Sequence, residues 1–168
     1  MRTVPLGGAK AAGRVVRVDD HDYAQVAGYT WHVWERSRGR RRASGPYAIT
    51  VIRLPDGRKR VLQMHRLLMP GAAKVDHRDG DGLNNQRYNL REATRQGNSA
   101  NSQKQRGTSS RFKGVSWHSG KWEARIKVAG RLRYLGRFAV EAEAARAYDT
   151  AAREAFGEFA RVNLPLSA

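Results

Sequence analysis

The sequence has no cysteine and few acidic residues, with 15 Asp and Glu against 32 Lys and Arg in 168 residues. Without cysteine there are no disulfides and no thiolate zinc sites of the kind that stabilise many small domains. No apolar run approaches the roughly 20 residues of a membrane helix, and no apolar segment of a secretion signal follows residues 1–5. We therefore expect a cytoplasmic protein that is stabilised by burial alone.

The surplus of basic residues is the dominant feature of what is present. The formal net charge is +17 and the sequence pI is about 11.2. Such an imbalance favours a polyanionic partner, nucleic acid before membrane, and says nothing about the fold. The length allows one ordinary domain or two small ones.

The N-terminal part predicts a small antiparallel sheet. Short β-rich runs occupy residues 15–18, 31–34, 47–54 and 59–64. Residues 19–22 look like a turn, and residues 55–57 (Pro-Asp-Gly) predict a hairpin. His65 introduces a short helix that ends at residues 70–71, and we expect it to be a packed structural residue. The arginine-rich run 36–42 is either a solvated loop or a phosphate contact.

The C-terminal part predicts three strands and one helix. Residues 112–117, 122–128 and 131–138 alternate in polarity, and residues 140–156 carry an apolar stripe at helical spacing up to Gly157. Arg125 and Lys127 share one face of the middle strand, whereas Ala124 and Ile126 share the other. One face of this sheet should therefore pack on the helix while the basic face stays open.

Between these parts, residues 75–90 hold a histidine among carboxylates and carboxamides. Hard oxygen ligands beside a neutral imidazole suit metal-assisted hydrolysis. One alternative is a plain polar turn. Another, a calcium-binding EF-hand loop, fails because its twelfth residue should be Glu, and counting from Asp76 or Asp79 gives Arg87 or Leu90.

Two resemblances follow from the motifs. Asp76-His77, Asn84-Asn85, Asn89-Leu90 and Asn98 resemble the HNH motif of phage and intron-encoded homing endonucleases. The segments 112–115, 134–138 and 144–149 resemble an AP2 DNA-binding domain. The resemblance implies an α+β protein with an N-terminal β region and docking helix (1–69), a ββα-metal nuclease core (70–103), a basic flexible linker (104–111) and an AP2 domain (112–168).

The HNH resemblance also implies roles for individual residues. Asp76 and Asn98 hold one divalent ion, with Mg²⁺ or Mn²⁺ favoured over Zn²⁺, because the ligands are hard oxygens. His77 is the general base, and Asn89 orients its ring. Asn84 and Asn85 are expected to form the loop rather than to take part in catalysis.

The AP2 resemblance implies a DNA-facing role for Lys113, Arg125, Lys127 and Tyr134. In the linker, Lys104, Arg106 and Arg111 either track DNA phosphates or belong to a passive tether. A three-stranded sheet is wide enough to enter a major groove, where base edges are distinguishable.

The sequence therefore predicts a site-recognising DNA endonuclease that works on double-stranded DNA in a bacterial or phage-infected cell. One active site implies nicking of one strand by a monomer, with a dimer left open. The alternative is a non-catalytic AP2-type regulator on a degenerate nuclease scaffold. The two differ in whether His77 is needed for cleavage.

Overall fold

The computed structural model describes residues 1–35, 45–104 and 107–164 of an α+β protein. The arginine-rich run 36–42 and Arg106 lie outside these ranges. The chain divides into two compact units, residues 1–93 and 94–168, and each is described by itself. Within the described ranges, no helix is long and apolar enough to cross a membrane.

The first unit is built on a five-stranded sheet in the order β2-β1-β3-β4-β5. The strands are β1 Arg2–Gly7, β2 Val15–Val18, β3 Trp31–Trp34, β4 Tyr47–Arg53 and β5 Lys59–Gln63. All neighbours pair antiparallel except β1 and β3, which are parallel. The expectation of a purely antiparallel sheet is thus corrected, because it did not include β1, which lies between β2 and β3.

Helix α1, Asp20–Ala27, replaces the turn expected at residues 19–22. Acidic residues favour turns, but they also stabilise the positive N-terminal end of a helix dipole. Asp20 and Asp22 both lie in the first turn of α1. The last turn buries Val26, whose carbonyl accepts a hydrogen bond from the Trp31 indole at 2.9 Å. Tertiary packing of this end therefore decided in favour of the helix.

The hairpin and the short helix are where the sequence predicted them. β4 and β5 flank residues 54–58, and Gly57 has a φ of 81°, which the turn requires. Helix α2, Met64–Leu68, ends before Pro70 and buries Met64, His65 and Leu68. His65 is accordingly packed, as expected.

A two-stranded ladder completes the first unit. It pairs β6, Val75–His77, with β7, Leu90–Glu92, in antiparallel register. Leu83 and Leu90 belong to the same apolar cluster as Val16, Trp31 and Met64. Residues 1–69 and the segment that follows therefore share one hydrophobic core, and the division at residue 69 separates sequence motifs and not compact units.

The second unit begins with helix α3, Arg95–Ala100, and a three-stranded antiparallel sheet. Thr94 caps α3 by accepting a hydrogen bond from the Gly97 amide at 3.0 Å. The strands are β8 Val115–His118, β9 Lys121–Val128 and β10 Arg131–Phe138, in the order β10-β9-β8. They are followed by helix α4, Glu141–Phe156, and one 3₁₀ turn, Gly157–Phe159.

Small residues bring α4 close to its sheet. Ala144 and Ala145 are buried in one cluster with Val115 and Ala124, and Ala152 is buried in a second cluster with Ile126. At Gly114 a β-carbon would lie 2.0 Å from the Tyr148 ring, and its φ is +76°. Glycine is needed there both for space and for backbone conformation.

A buried carboxylate fastens residues 163–164 to this core. Asp149 on α4 is 1% exposed and accepts hydrogen bonds from the backbone amides of Asn163 and Leu164 at 2.7 and 2.8 Å. The Asn163 side chain in turn bonds the backbone of Lys113 through both its oxygen and its nitrogen. Asp149 therefore connects α4, the C-terminal segment and the beginning of the sheet.

We predict that Asp149→Ala lowers the free energy of unfolding by about 2–4 kcal/mol, because several buried donors lose their acceptor at once. Urea unfolding of the full chain, followed by tryptophan fluorescence, measures the change. The control is Asp56→Ala on the exposed hairpin turn, which should cost less than about 0.5 kcal/mol. Equal effects of the two substitutions would contradict the role assigned to Asp149.

Candidate functional site

The β6–β7 ladder carries the residues singled out by the sequence. Asp76 pairs with Arg91 in the ladder, and its Oδ2 accepts hydrogen bonds from Nε and Nη2 of Arg91 at 2.9 and 2.8 Å. Both side chains are buried. Such a buried pair is held together strongly, because separating it would leave an uncompensated charge.

His77 follows Asp76 and contacts a different set of residues, as the alternation of a strand requires. Its ring centroid lies 5.1 Å from that of His65, at 90°, and 5.8 Å from that of Tyr47. The rings of Tyr47 and His65 are themselves 5.5 Å apart. Residues from β4, α2 and β6 thus form a three-ring aromatic cluster.

A carboxamide approaches the His77 ring from the loop that follows β6. Nε2 of His77 lies 3.4 Å from Oδ1 of Asn85, and the Asn85 side-chain nitrogen donates to the Gly82 carbonyl at 3.2 Å. The Asn85 oxygen therefore favours the tautomer with the proton on Nε2. In that tautomer Nδ1 carries the lone pair that accepts a proton.

Burial governs the protonation of these rings. It lowers the pKa of His77, although Asn85 and the carboxylates of Asp79 and Asp76 act in the opposite direction. Burial, followed by the charge of His77, lowers the pKa of His65 to about 3. Burial and then Asp76 raise the pKa of Tyr47. At neutral pH both imidazoles are therefore neutral and the phenol keeps its proton.

The loop after His77 is held by side chains instead of regular structure. The Asp79 amide donates to Oδ1 of Asn89, and Nδ2 of Asn89 returns a bond to Oδ1 of Asp79, both at 3.0 Å. Nδ2 of Asn84 donates to the other oxygen of Asp79 at 2.8 Å. Although burial opposes ionisation, these bonds lower the pKa of Asp79. The hydrogen bonds of Asn89 thus fix the loop directly after His77.

The N-terminal elements hold the same loop from outside. The Arg17 backbone on β2 bonds Leu83 and Asn85 at 2.9 and 2.8 Å, and its guanidinium reaches Asp81. The Arg87 guanidinium donates to both oxygens of Asp22 at 2.7 Å. β2 and α1 therefore act as a support for residues 81–87.

The ligand chemistry at Asp76 suits a hard divalent cation, with one restriction. A carboxylate supplies an oxygen donor of the kind that Mg²⁺ and Mn²⁺ prefer, and the part of Asn98 as a second ligand stays a prediction. Because Arg91 donates two hydrogen bonds to Oδ2, a cation would have to share the Asp76 carboxylate with Arg91 or displace it. Asn98 lies on α3 in the second unit, where its side chain is exposed.

One group in the described part of the chain has potential ligand atoms within 4.8 Å of one another: Asp19, His21 and Asp22. Its carboxylates are already engaged. Asp19 accepts hydrogen bonds from the Gln86 side chain and the Arg87 backbone amide. Asp22 accepts hydrogen bonds from the Arg87 guanidinium. We interpret this group as the attachment of the loop to α1, because the Arg87 guanidinium pairs with Asp22 and the Arg87 amide bonds Asp19.

In the second unit, the open face of the sheet presents three of the predicted DNA contacts. Arg125, Lys127 and Tyr134 are exposed, whereas Ala124 and Ile126 are buried toward α4. Arg125 lies opposite Tyr134 in the ladder. The alternation of β9 is therefore as predicted, with Arg125 and Lys127 exposed on one face and Ala124 and Ile126 buried on the other.

Lys113 has a different environment. Its ammonium donates to the carbonyls of Ala100 and Ser102, and burial followed by the charge of Arg161 lowers its pKa to about 8. A DNA contact by Lys113 stays a prediction that requires an exchange of these bonds.

The described part of the expected linker is attached to the second unit. Ser110 donates to Glu141 at 2.7 Å, and the Trp117 amide donates to Ser109 at 2.8 Å. Arg111 is exposed and lies over the Phe112 ring, while Lys104 contacts Thr108. A role of Lys104 and Arg111 in DNA binding stays a prediction.

Sequence reasoning missed several contributors to the site. Tyr47 and His65 lie 30 and 12 positions before His77, so only the fold brings these rings together. Asn85, read as a loop former, also reaches the His77 ring. The two adjacent asparagines at residues 84–85 were the available indication of such a contact, but the sequence does not say which of them reaches His77.

Comparison with known proteins gives two relatives. The chain is 37% identical over 111 residues to a mimivirus protein (Acanthamoeba polyphaga mimivirus) named uncharacterized HNH endonuclease L560, covering 61% of this chain and 57% of that protein. Over 49 residues it is 49% identical to an Arabidopsis thaliana protein with the provisional name dehydration-responsive element-binding protein 2H, covering 28% and 31%. The chain thus spans about half the length of the mimivirus protein and about a third of the length of the Arabidopsis protein. No family model matches.

Tight packing of the loop on β4 leads to a prediction for Gly82. A β-carbon there would lie 2.3 Å from the Pro46 carbonyl oxygen and 2.5 Å from the Tyr47 ring. We expect Gly82→Ala to lower the free energy of unfolding by about 1–3 kcal/mol, because backbone must move. Gly71→Ala is the matched control, since no atom lies within 4 Å of its β-carbon position. Equal thermal midpoints for the two variants would refute this packing.

The low pKa of His65 leads to a prediction on pH. Its folded-state pKa, about 3, lies below the unfolded value of 6.5, so the unfolded chain takes up the proton first. Stability is therefore lost as pH falls below 6.5, by up to about 1.4 kcal/mol per pH unit for one such imidazole. We expect a shallower loss for His65→Phe in urea unfolding at a series of pH values. His32→Phe, at an exposed position, should keep the wild-type slope; equal slopes for all three proteins would contradict the assignment.

Proposed function

We propose that this protein is a DNA endonuclease that hydrolyses a phosphodiester bond with His77 as the general base. The observation that carries the proposal is the His77 imidazole, which burial keeps neutral beside a buried carboxylate, in a chain of net charge +17. The similarity to a protein named as an HNH endonuclease supports nuclease function at the level of the family.

The residues around His77 suit proton transfer from water. A general base must be unprotonated at working pH and fixed in orientation. Asn85 and the rings of His65 and Tyr47 contact the imidazole, and with the proton on Nε2 its Nδ1 takes the proton of the attacking water. By resemblance Asn89 was assigned to orient this ring; through Asp79 it holds the segment that leaves His77.

Asp76 and Asn98 are proposed to hold one divalent ion, Mg²⁺ or Mn²⁺. When bound, such an ion offsets the negative charge that develops on the phosphate during hydrolysis. The hard-oxygen chemistry of Asp76 supports its part, whereas Asn98 is assigned by resemblance. Arg91 orients the Asp76 carboxylate through its two hydrogen bonds.

Double-stranded DNA is the proposed substrate, recognised through the open face of the β8–β10 sheet. Arg125, Lys127 and Tyr134 are exposed on that face. The Arabidopsis relative is named as a dehydration-responsive element-binding protein, which supports a binding role. We propose that one chain cuts one strand per encounter.

The alternative is a regulator that binds DNA without cutting it. The basic open face alone would satisfy that function. A regulator, however, would give no chemical role to the network around Asp76, His77 and Asn89, although burying such polar groups costs stability. Cleavage that depends on His77 separates the two functions.

We predict that the full chain nicks supercoiled plasmid DNA with Mg²⁺ or Mn²⁺, and that His77→Ala slows nicking by about 100-fold or more, as loss of a general base does. His32→Ala, an exposed histidine in the same unit, should nick at the wild-type rate. Gel analysis with a chelator control measures nicking, and fluorescence anisotropy confirms that both variants still bind DNA. Equal nicking by both variants would exclude His77 as the base, and binding without nicking by the wild type would establish the regulator.

A further inference from the structure

The open face of the β8–β10 sheet contains one acidic residue whose placement is unexpected. Between residues 104 and 138 the only carboxylate is Glu123, among ten Lys and Arg residues. Glu123 lies two positions before Arg125 on β9, so both side chains lie on the open face. The Glu123 side chain is nevertheless only 8% exposed, whereas that of Arg125 is 49% exposed.

An ion pair joins these two residues. Oε1 of Glu123 contacts Nε of Arg125. A carboxylate buried to this extent needs such a partner, because an unpaired buried charge is costly. The pair occupies Nε of the guanidinium, and the Arg125 side chain as a whole stays half exposed.

The neighbouring strand reinforces the arrangement. In the ladder Glu123 lies opposite Arg137 and Ser116, and Arg125 lies opposite Tyr134. A bulge between Tyr134 and Gly136 shifts the alternation of β10, which puts Arg137 on the open face. Glu123 therefore lies on the middle strand among basic neighbours.

We propose that Glu123 is a specificity-determining residue that positions Arg125 to recognise a guanine in the major groove of the DNA target. This inference rests on the proposed DNA-reading role of the sheet. With Nε held by Glu123, the two terminal amines of Arg125 form the fork that matches O6 and N7 of guanine. Because the guanidinium is fixed before binding, less rotamer entropy is lost on contact.

The charge of Glu123 also selects against the simpler alternative, a contact between Arg125 and a phosphate. A carboxylate next to the guanidinium repels the anionic DNA backbone, whereas a base edge carries no net charge. Lys127 on the same face serves as a comparison, because an ammonium group acts on phosphate as a point charge without reading the base. The two cations thus have different expected effects on sequence preference.

The test is to measure binding of the full chain to DNA duplexes selected from a randomised pool and then substituted base by base. Arg125→Ala should remove a preference of about tenfold or more for guanine at one position. Glu123→Gln, nearly isosteric but uncharged, should weaken the preference at that same position by about fivefold or more and increase affinity for random-sequence DNA. Lys127→Ala should weaken binding to all sequences alike and flatten the salt dependence.

Arg125→Lys keeps a charge partner for Glu123 but removes the fork, so it remains informative if a Glu123 variant does not fold. It should lose the guanine preference while retaining affinity for random-sequence DNA. Circular dichroism checks the fold of each variant. The inference is overturned if Arg125→Lys keeps the preference, if Glu123→Gln leaves the preference unchanged or changes it at another position, or if the wild type shows no sequence preference.

These outcomes are independent of cleavage. A chain that prefers guanine through Arg125 but does not nick DNA would contradict the nuclease proposal alone. A chain that nicks DNA through His77 without any sequence preference would contradict the inference on Glu123 alone.

Discussion

The reciprocal hydrogen bonds between Asp79 and Asn89 are the constraint on which the candidate site depends. Residues 78–89 leave one strand of a short ladder and return to the other without regular structure of their own. Their buried polar groups must therefore be satisfied by side chains. Asn89 accepts from the Asp79 amide and donates to its carboxylate, and the Arg78 amide bonds the Asn89 carbonyl. Substitution of either side chain would release the segment that begins directly after His77.

Buried carboxylates organise a protein whose overall charge is strongly positive. Asp22, Asp76, Glu123 and Asp149 are all buried, and each joins segments or side chains that would otherwise be held loosely. Asp22 and Asp76 hold Arg87 and Arg91, whereas Asp149 holds backbone amides near the C-terminal end. With few acidic residues in the sequence, several of them are used for internal order, and most basic side chains are left for the surface. This division agrees with a polyanionic partner.

The sequence predicted most accurately those elements whose periodicity is local. The alternation of β9 and the alanine stripe of α4 are long patterns, and both elements formed close to the predicted bounds. Helix α1 was missed because its acidic first turn also has the composition of a turn, and packing of Val26 and Trp31 decided the outcome. The shared core of the first unit was missed because Leu83 and Leu90 contact distant strands.

For the candidate site, the motif predicted which residue types occur together but not their partners. His77 and Asp76 are buried on adjacent positions, as a motif on a strand implies. The contacts of His77 with His65 and Tyr47, and that of Asp76 with Arg91, depend on how β4, α2 and β7 meet. Local spacing does not contain that information. The Glu123–Arg125 pair is different, since two residues of opposite charge at alternate positions of one strand could have been recognised from parity alone.

The two outer strands of the first sheet differ in how their free edges are protected. On β2, the backbone of Arg17 pairs with residues 83–85, so the loop of the candidate site continues the sheet beyond its last strand. On β5, the adjacent cations Lys59 and Arg60 are exposed at the other edge. Charged side chains at an open edge oppose pairing with another copy of the chain. The protein should consequently resist edge-to-edge aggregation when it is concentrated, and it owes part of that colloidal behaviour to the same loop that follows His77.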